Sequence, residues 1–266
     1  MWFDALLHAR SLSPRDLADL RFFGVAGALV PTDDALGRAG AAGVRRGWEE
    51  VVEGARRLRA AGLAGHAAVG VHPRRIPARG LEALLAELPE ALGRPEVAAL
   101  GAVGLAEGTE LEERVLARQL QLAAELRRPV LVTLPAGSPE RLARRLLGVL
   151  QEAELEPGQA LVAGVDARTV RSVRALGHLA GLVLSGAGSA GLDAAVRVVR
   201  TLGPDGLVLA SDAGLGGGDR LALPRAADRL ARAGLSDAVI RRVCGGNAVG
   251  FLRVDPRALG PRTRRR

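Results

Sequence analysis

The sequence predicts a single eight-stranded β/α barrel, and three observations carry that expectation. Eight short β-prone runs recur along the 266 residues, most of them apolar throughout, as strands buried on both faces are. Helix-compatible segments lie between them, the alternation of a parallel sheet with crossover helices. No Pro/Gly/Ser-rich linker or sharp change of composition divides the chain, and ~250 residues is an ordinary length for one such barrel.

In order, the expected strands are WFDALLH (2–8), VAGALVP (25–31), AAVGVH (67–72), VAALGAVG (97–104), PVLVTL (129–134), ALVAGV (160–165), GLVLSG (181–186) and GLVLAS (206–211). The first helix is announced by Ser13, a capping hydroxyl ahead of Pro14, and is closed by Gly24. Further helices run through VRRGWEEVVEGARRLRAAG and GLEALLAELPEAL. Thr109 with Glu112 three residues on reads as a capping box. Ser138 before Pro139 repeats the first device. Shorter helices follow in ARTVRSVRAL and GLDAAVRVVRTL, and the stretch from Pro224 to Leu252 reads as two helices parted by Gly234 and Ser236. The barrel therefore takes residues 1–252, leaving 253–266 as an Arg-rich tail. An open doubly wound sheet is the competing arrangement. Its nucleotide fingerprint, GxGxxG after the first strand, is missing, because that strand leads into HARSLSPRDL.

Hydrophobic residues make up 48% of the chain, yet no apolar run reaches the ~20 residues of a membrane span. The opening MWFDALLHAR carries Asp4 and His8 inside its apolar stretch, unlike a signal peptide, so the expected compartment is the cytoplasm. One cysteine, Cys244, excludes an internal disulfide and a CxxC metal knuckle. The net charge of +8 comes from arginine alone, with no lysine. Six arginines and one aspartate from Arg253 onward supply +5 of it, leaving +3 for the body. The tail is expected to be a frayed terminus; nucleic acid is a disfavoured partner for it.

Chemistry in such a barrel sits at the carboxyl ends of the strands. The groups there are Asp4 and His8, then Thr32, Asp33 and Asp34, then His72, then Glu107 and Glu110, then Thr133, Asp166 and Ser185, and finally Ser211 and Asp212. Asp33 and Asp34 are adjacent and read as a solvated turn. The loops SGAGSAG and DAGLGGGD after strands seven and eight offer backbone N–H groups, with Gly186, Ser189, Gly216 and Gly217 as candidate phosphate-binding positions.

In FDALLH, GVHP at Gly70 to Pro73, LASDAG around Asp212, ALGAVGL, and GGNAVGFL with Asn247 and Phe251, the chain resembles the TatD-like metal-dependent hydrolases from Phe3 to about Phe251. The resemblance implies a metal site of two strand-one histidines, a strand-four glutamate, histidines ending strands five and six, and a strand-eight aspartate. Transferred one at a time, these positions fall on Leu6, His8, Ala102, Thr133, Gly164 and Asp212. His8 and Asp212 remain as metal-binding types, with His72 as a third donor and Asp212 as the catalytic residue of any surviving reaction. A catalytic divalent site ordinarily takes about three protein ligands and an open position. The expected cofactor is therefore none, or a single weakly bound zinc or manganese ion. The expected function is a hydrolase scaffold with a degenerate metal site that holds a protein partner or a small molecule, including a phosphate-containing one. The alternatives are a mononuclear hydrolase of phosphodiester or amide bonds, and a phosphate-ligand binder using the glycine loops.

Overall fold

A computed structural model of the chain describes residues 1–35, 40–135, 137–184, 191–214 and 218–255. Its eight strands are β1 (Trp2–Asp4), β2 (Val25–Pro31), β3 (Ala64–Val69), β4 (Val97–Gly104), β5 (Val130–Thr133), β6 (Ala160–Ala163), β7 (Leu179–Val183) and β8 (Leu207–Ala210). Each is parallel to the next in sequence order. The seam between β8 and β1 is closed by a parallel bridge of Leu7 to Ala213, with His8 N donating to Ala213 O (2.8 Å) and Asp212 N to Leu6 O (3.0 Å). The predicted barrel is what the structure contains.

Strand ends differ from the predicted ones where a neighbour claims the backbone. β1 stops at Asp4 because Leu6 N turns back to Asp4 Oδ1 (3.2 Å) while Leu7 N donates to Leu29 O (3.0 Å). β3 begins at Ala64, three residues earlier than the apolar run suggests, because Gly65 lets helix α2 (Ala41–Ala60) press on the strand. A Cβ at Gly65 would lie 2.1 Å from the Ala55 carbonyl oxygen.

The crossover helices are α1 (Pro14–Phe22), α2, α3 (Leu81–Leu92), α4 (Glu110–Glu125), α5 (Glu140–Glu152), α6 (Ala167–Ala175) and α7 (Leu192–Leu202). Ser13 caps α1 as its sequence promised, and Asp16 answers it in a reciprocal box that the sequence reading did not include. Thr109 caps α4. The Glu112 carboxylate, however, turns away from the predicted box and accepts the backbone N–H groups of Ala106, Glu107 and Gly108, fastening the loop that leaves β4. Ser138 does not cap α5; its hydroxyl donates to Pro135 O (2.5 Å). After β8 come α8 (Ala222–Arg232), α9 (Asp237–Arg241) and, through one irregular turn, α10 (Asn247–Leu252).

Two cores result. Between strands and helices lies a Leu/Val layer, and the barrel interior is filled by Phe3, Leu29, Ala68, Leu131, Leu161 and Val208 with small alanines among them. α10 plugs the amino-terminal end of the barrel with Phe251 and Leu252. Asn247 Nδ2 donates there to Pro204 O and Leu207 O, both at 2.7 Å. Among the described residues the opposite end forms a mouth lined by the strand ends.

Candidate functional site

The mouth is assembled from the segments that leave β1, β2 and β8. His8, at the end of the β1 segment, is buried to 5% exposure. Its Nδ1 meets Asp33 Oδ2 at 2.8 Å and its Nε2 meets Asp212 Oδ1 at 2.9 Å. Ionised carboxylates only accept hydrogen bonds, so an imidazole held by one on each nitrogen donates from both and is an imidazolium. Burial alone would lower the pKa of His8, but the bonds to Asp212 and Asp33 and their charges raise it to about 9. Burial works to raise Asp33; the bond and charge of His8 outweigh it and hold that carboxyl below its usual range. Asp33 Oδ1 also accepts Ala35 N (2.7 Å), and Asp212 takes a left-handed backbone (φ 56°), a conformation Asp tolerates.

Beneath this triad lies a second buried carboxylate. Asp4 accepts Leu6 N (3.2 Å), Ser211 N (3.0 Å) and the Ser211 hydroxyl, whose oxygen accepts Ala213 N (3.0 Å). Burial pushes Asp4 up to about 6, against the lowering effect of the Ser211 bonds. The pair stitches β1 to β8 just under His8.

The other wall of the mouth is of another kind. Around a cavity of ≈ 300 Å³ shared with His8, Asp33 and Asp212, the ends of β4 to β7 contribute Ala102, Thr133, Ala163, Gly164 and Val183, and Leu6 of the β1 segment adds a further apolar side. The Thr133 hydroxyl donates to Val103 O (3.3 Å). Gly164 has φ +84°, and a Cβ there would stand 2.2 Å from the Leu134 carbonyl oxygen.

The structure therefore brings three of the sequence candidates together, His8, Asp33 and Asp212. His72 borders the same cavity, but its Nδ1 accepts Arg74 N (3.3 Å), and burial lowers its pKa to about 4. Asp34 points to Arg74 (3.9 Å). Asp166 caps α6 by accepting Arg168 N and Thr169 N, and Glu110 is the first residue of α4. Ser185, Gly186, Ser189, Gly216 and Gly217 lie outside the described residues, as does the tail from residue 256. Cys244 is buried and its thiol is pushed up to about 12, which disqualifies it as a nucleophile. His66 lies against Phe3 inside the barrel, with ring centroids 6.1 Å apart.

Asp33 is the participant that sequence reading set aside. β2 ends at Pro31, and although Thr32, Asp33 and Asp34 all border the mouth cavity, it is Asp33 that reaches His8 while Asp34 faces Arg74.

Eight parallel strands and a polar mouth on β1, β2 and β8 define a barrel of the metal-dependent hydrolase type. The family model for TatD related DNase matches residues 6–157. An uncharacterised metal-dependent hydrolase of Methanocaldococcus jannaschii is 27% identical over 208 residues, 78% of this chain and 82% of that protein. The crystal structure of a TatD-like protein from Archaeoglobus fulgidus superposes with a TM-score of 0.79 at 25% identity, covering 95% of this chain and 100% of that one. A TatD homologue of Escherichia coli gives 0.71 at 20% identity, covering 96% and 98%. The chain belongs to the TatD related DNase family. That family suggests use of a divalent metal. Among the described residues no helix is long and apolar enough to cross a membrane.

Proposed function

We propose that this chain is a TatD-like hydrolase scaffold whose metal site is degenerate, and that its mouth holds a ligand or partner instead of hydrolysing a substrate. The observation that carries this reading is the placement of His8 between Asp33 and Asp212, with both ring nitrogens engaged. A metal would have to displace a proton and break one of these bonds before His8 could ligate it. Across the cavity, Leu6, Ala102 and Ala163 bring no donor atom and Gly164 has no room for a side chain. Among the described residues, no three His, Cys, Asp or Glu side chains form a group that could hold a metal ion. The residues present do not fit the six-ligand centre that the family resemblance implies. Metal analysis of the purified chain after incubation with zinc or manganese tests the reading. Content far below stoichiometric, and insensitive to His8→Ala, is expected; near-stoichiometric metal lost on His8→Ala sinks it.

One observation favours a second reading. Asp33 and Asp212 both stand at His8, so loss of the His8 proton and of its two hydrogen bonds would free one nitrogen and two carboxylates to turn toward a metal ion. In that case Asp212→Asn and chelator would each abolish a phosphodiesterase or amidase activity. The phosphate-binding reading rests on loops outside the described residues and is addressed by thermal shift with sugar phosphates and nucleotides.

A further inference from the structure

On the outside of the barrel one face is unlike the rest. α1 turns Leu17 and Leu20 to the core. Its opposite stripe carries Arg15, Ala18, Asp19 and Phe22, spaced so that they share one side of the helix. Phe22 is 82% exposed, Phe23 46% and Met1 57%, and the two phenylalanine rings stand edge to face with centroids 5.1 Å apart. The chain has only two tryptophans and four phenylalanines, and Trp2, Phe22 and Phe23 all gather at this face. An apolar groove flanks the rings on each side. One of ≈ 660 Å³ lies between α1 and α2 over Leu17, Ala18, Ala60 and Ala61. The other, of ≈ 390 Å³, lies over Trp2, Ala227, Ala231 and Ile240.

We propose that this face docks on a second copy of the chain, forming a two-fold dimer through α1. A two-fold contact sets a patch against itself, so the patch must be self-complementary. Here a protruding ring stands beside the hollow that would receive it. The charges agree: with two copies of α1 antiparallel and crossing at the level of Leu17, the small Ala18 beside the crossing permits close approach and Arg15 of each copy comes opposite Asp19 of the other. Neither residue has an ion-pair partner among the described residues of its own chain, and neither has Arg21, which with Arg57 borders the larger groove. A ring entering that groove meets guanidinium groups, an attractive arrangement for an aromatic face. An anionic membrane or an acidic peptide would call for a single sign of charge; this stripe alternates in the order that its own antiparallel copy matches.

Sedimentation equilibrium of the full chain, from about 1 to about 200 µM, tests this. The wild type should sediment with twice the chain mass, and Phe22→Asp should weaken association by ~30-fold or more, as loss of an aromatic anchor does. Arg15→Asp should weaken it too, and Arg15→Asp combined with Asp19→Arg should restore it. A wild type that is monomeric throughout, a Phe22→Asp protein that dimerises unchanged, or a double charge reversal no better than the single one each overturns the proposal. So does a monomer that floats with anionic vesicles in a Phe22-dependent way. The restored double variant reads the interface even if Phe22→Asp folds poorly.

Discussion

The two walls of the barrel mouth are built from different materials. On β1, β2 and β8 the strand ends carry two adjoining hydrogen-bonded groups, His8 with Asp33 and Asp212, and Asp4 with Ser211. On β4 to β7 the wall is Ala102, Thr133, Ala163, Gly164 and Val183. The polar wall coincides with the seam where the sheet closes on itself, and among the described residues two backbone hydrogen bonds, around the Leu7–Ala213 bridge, span that seam. Strands β4 to β7 are held by parallel ladders, unbroken from β5 to β7 and with one register shift between β4 and β5, and need no such help. Polar residues at the seam thus have a structural task that does not depend on a metal, which gives His8 and Asp212 a reason to stand where they do.

The most severe way to break this comparison is Asp4→Ala. It would strand three donors, the N–H groups of Leu6 and Ser211 and the Ser211 hydroxyl, in a fully buried place. A loss of about 4 kcal/mol is expected, at roughly 1–3 kcal/mol for each unsatisfied group softened by relaxation. Asp4→Asn, which keeps an acceptor for both N–H groups, should cost about 1 kcal/mol. Urea unfolding measures both. If Asp4→Ala is as mild as Asp4→Asn, the seam is held by its backbone contacts alone.

His8 comes next, and its contribution carries a pH signature. Its pKa rises from 6.5 to about 9 in the folded chain. The stabilisation is therefore fully present below pH 6.5, declines as pH rises, and is gone above about 9; its full size is about 3 kcal/mol. His8→Ala should remove that slope and lower stability at pH 7 by a similar amount, because it leaves Asp33 and Asp212 facing each other without the cation between them. Unfolding curves between pH 6 and pH 9.5 check the sign. A wild type that gains stability over that range would mean a neutral His8 with a nitrogen free for metal.

How much of this was legible in the sequence follows the same division. The eight strands were readable because apolar runs buried on both faces need no partner to be recognised, and His8 and Asp212 because the motifs around them are local. Asp33 was not, since its role depends on which way β2 turns its last residues and on a histidine 25 positions away. Glu112 and Ser138 misled for a related reason. Each has the spacing of a cap, but the loops leaving β4 and β5 bring nearer partners, three N–H groups for the carboxylate and the Pro135 carbonyl for the hydroxyl. The crowding at Gly164 was equally invisible, because it is set by the Leu134 carbonyl of the neighbouring segment.

The smallest effect at neutral pH sharpens the comparison furthest, because it sets two histidines of one cavity against each other. His72 stands at the rim with no carboxylate on either nitrogen, and burial lowers its pKa to about 4. A histidine depressed from 6.5 in this way is neutral in the fold, so its contribution is complete above pH 6.5 and is lost as pH falls through 4. His8 runs in the opposite direction, losing its contribution on the alkaline side. At pH 7 His72→Gln should cost less than about 1 kcal/mol, the worth of one neutral hydrogen bond to Arg74 N. Imidazole NMR titration of the wild type and of His72→Gln separates the two rings. The resonance that disappears with His72 should titrate near 4, and the one that disappears with His8→Ala near 9. Should His72 also titrate above 6.5, the rim would share the negative charge of the seam, and the two walls would no longer be electrostatically distinct.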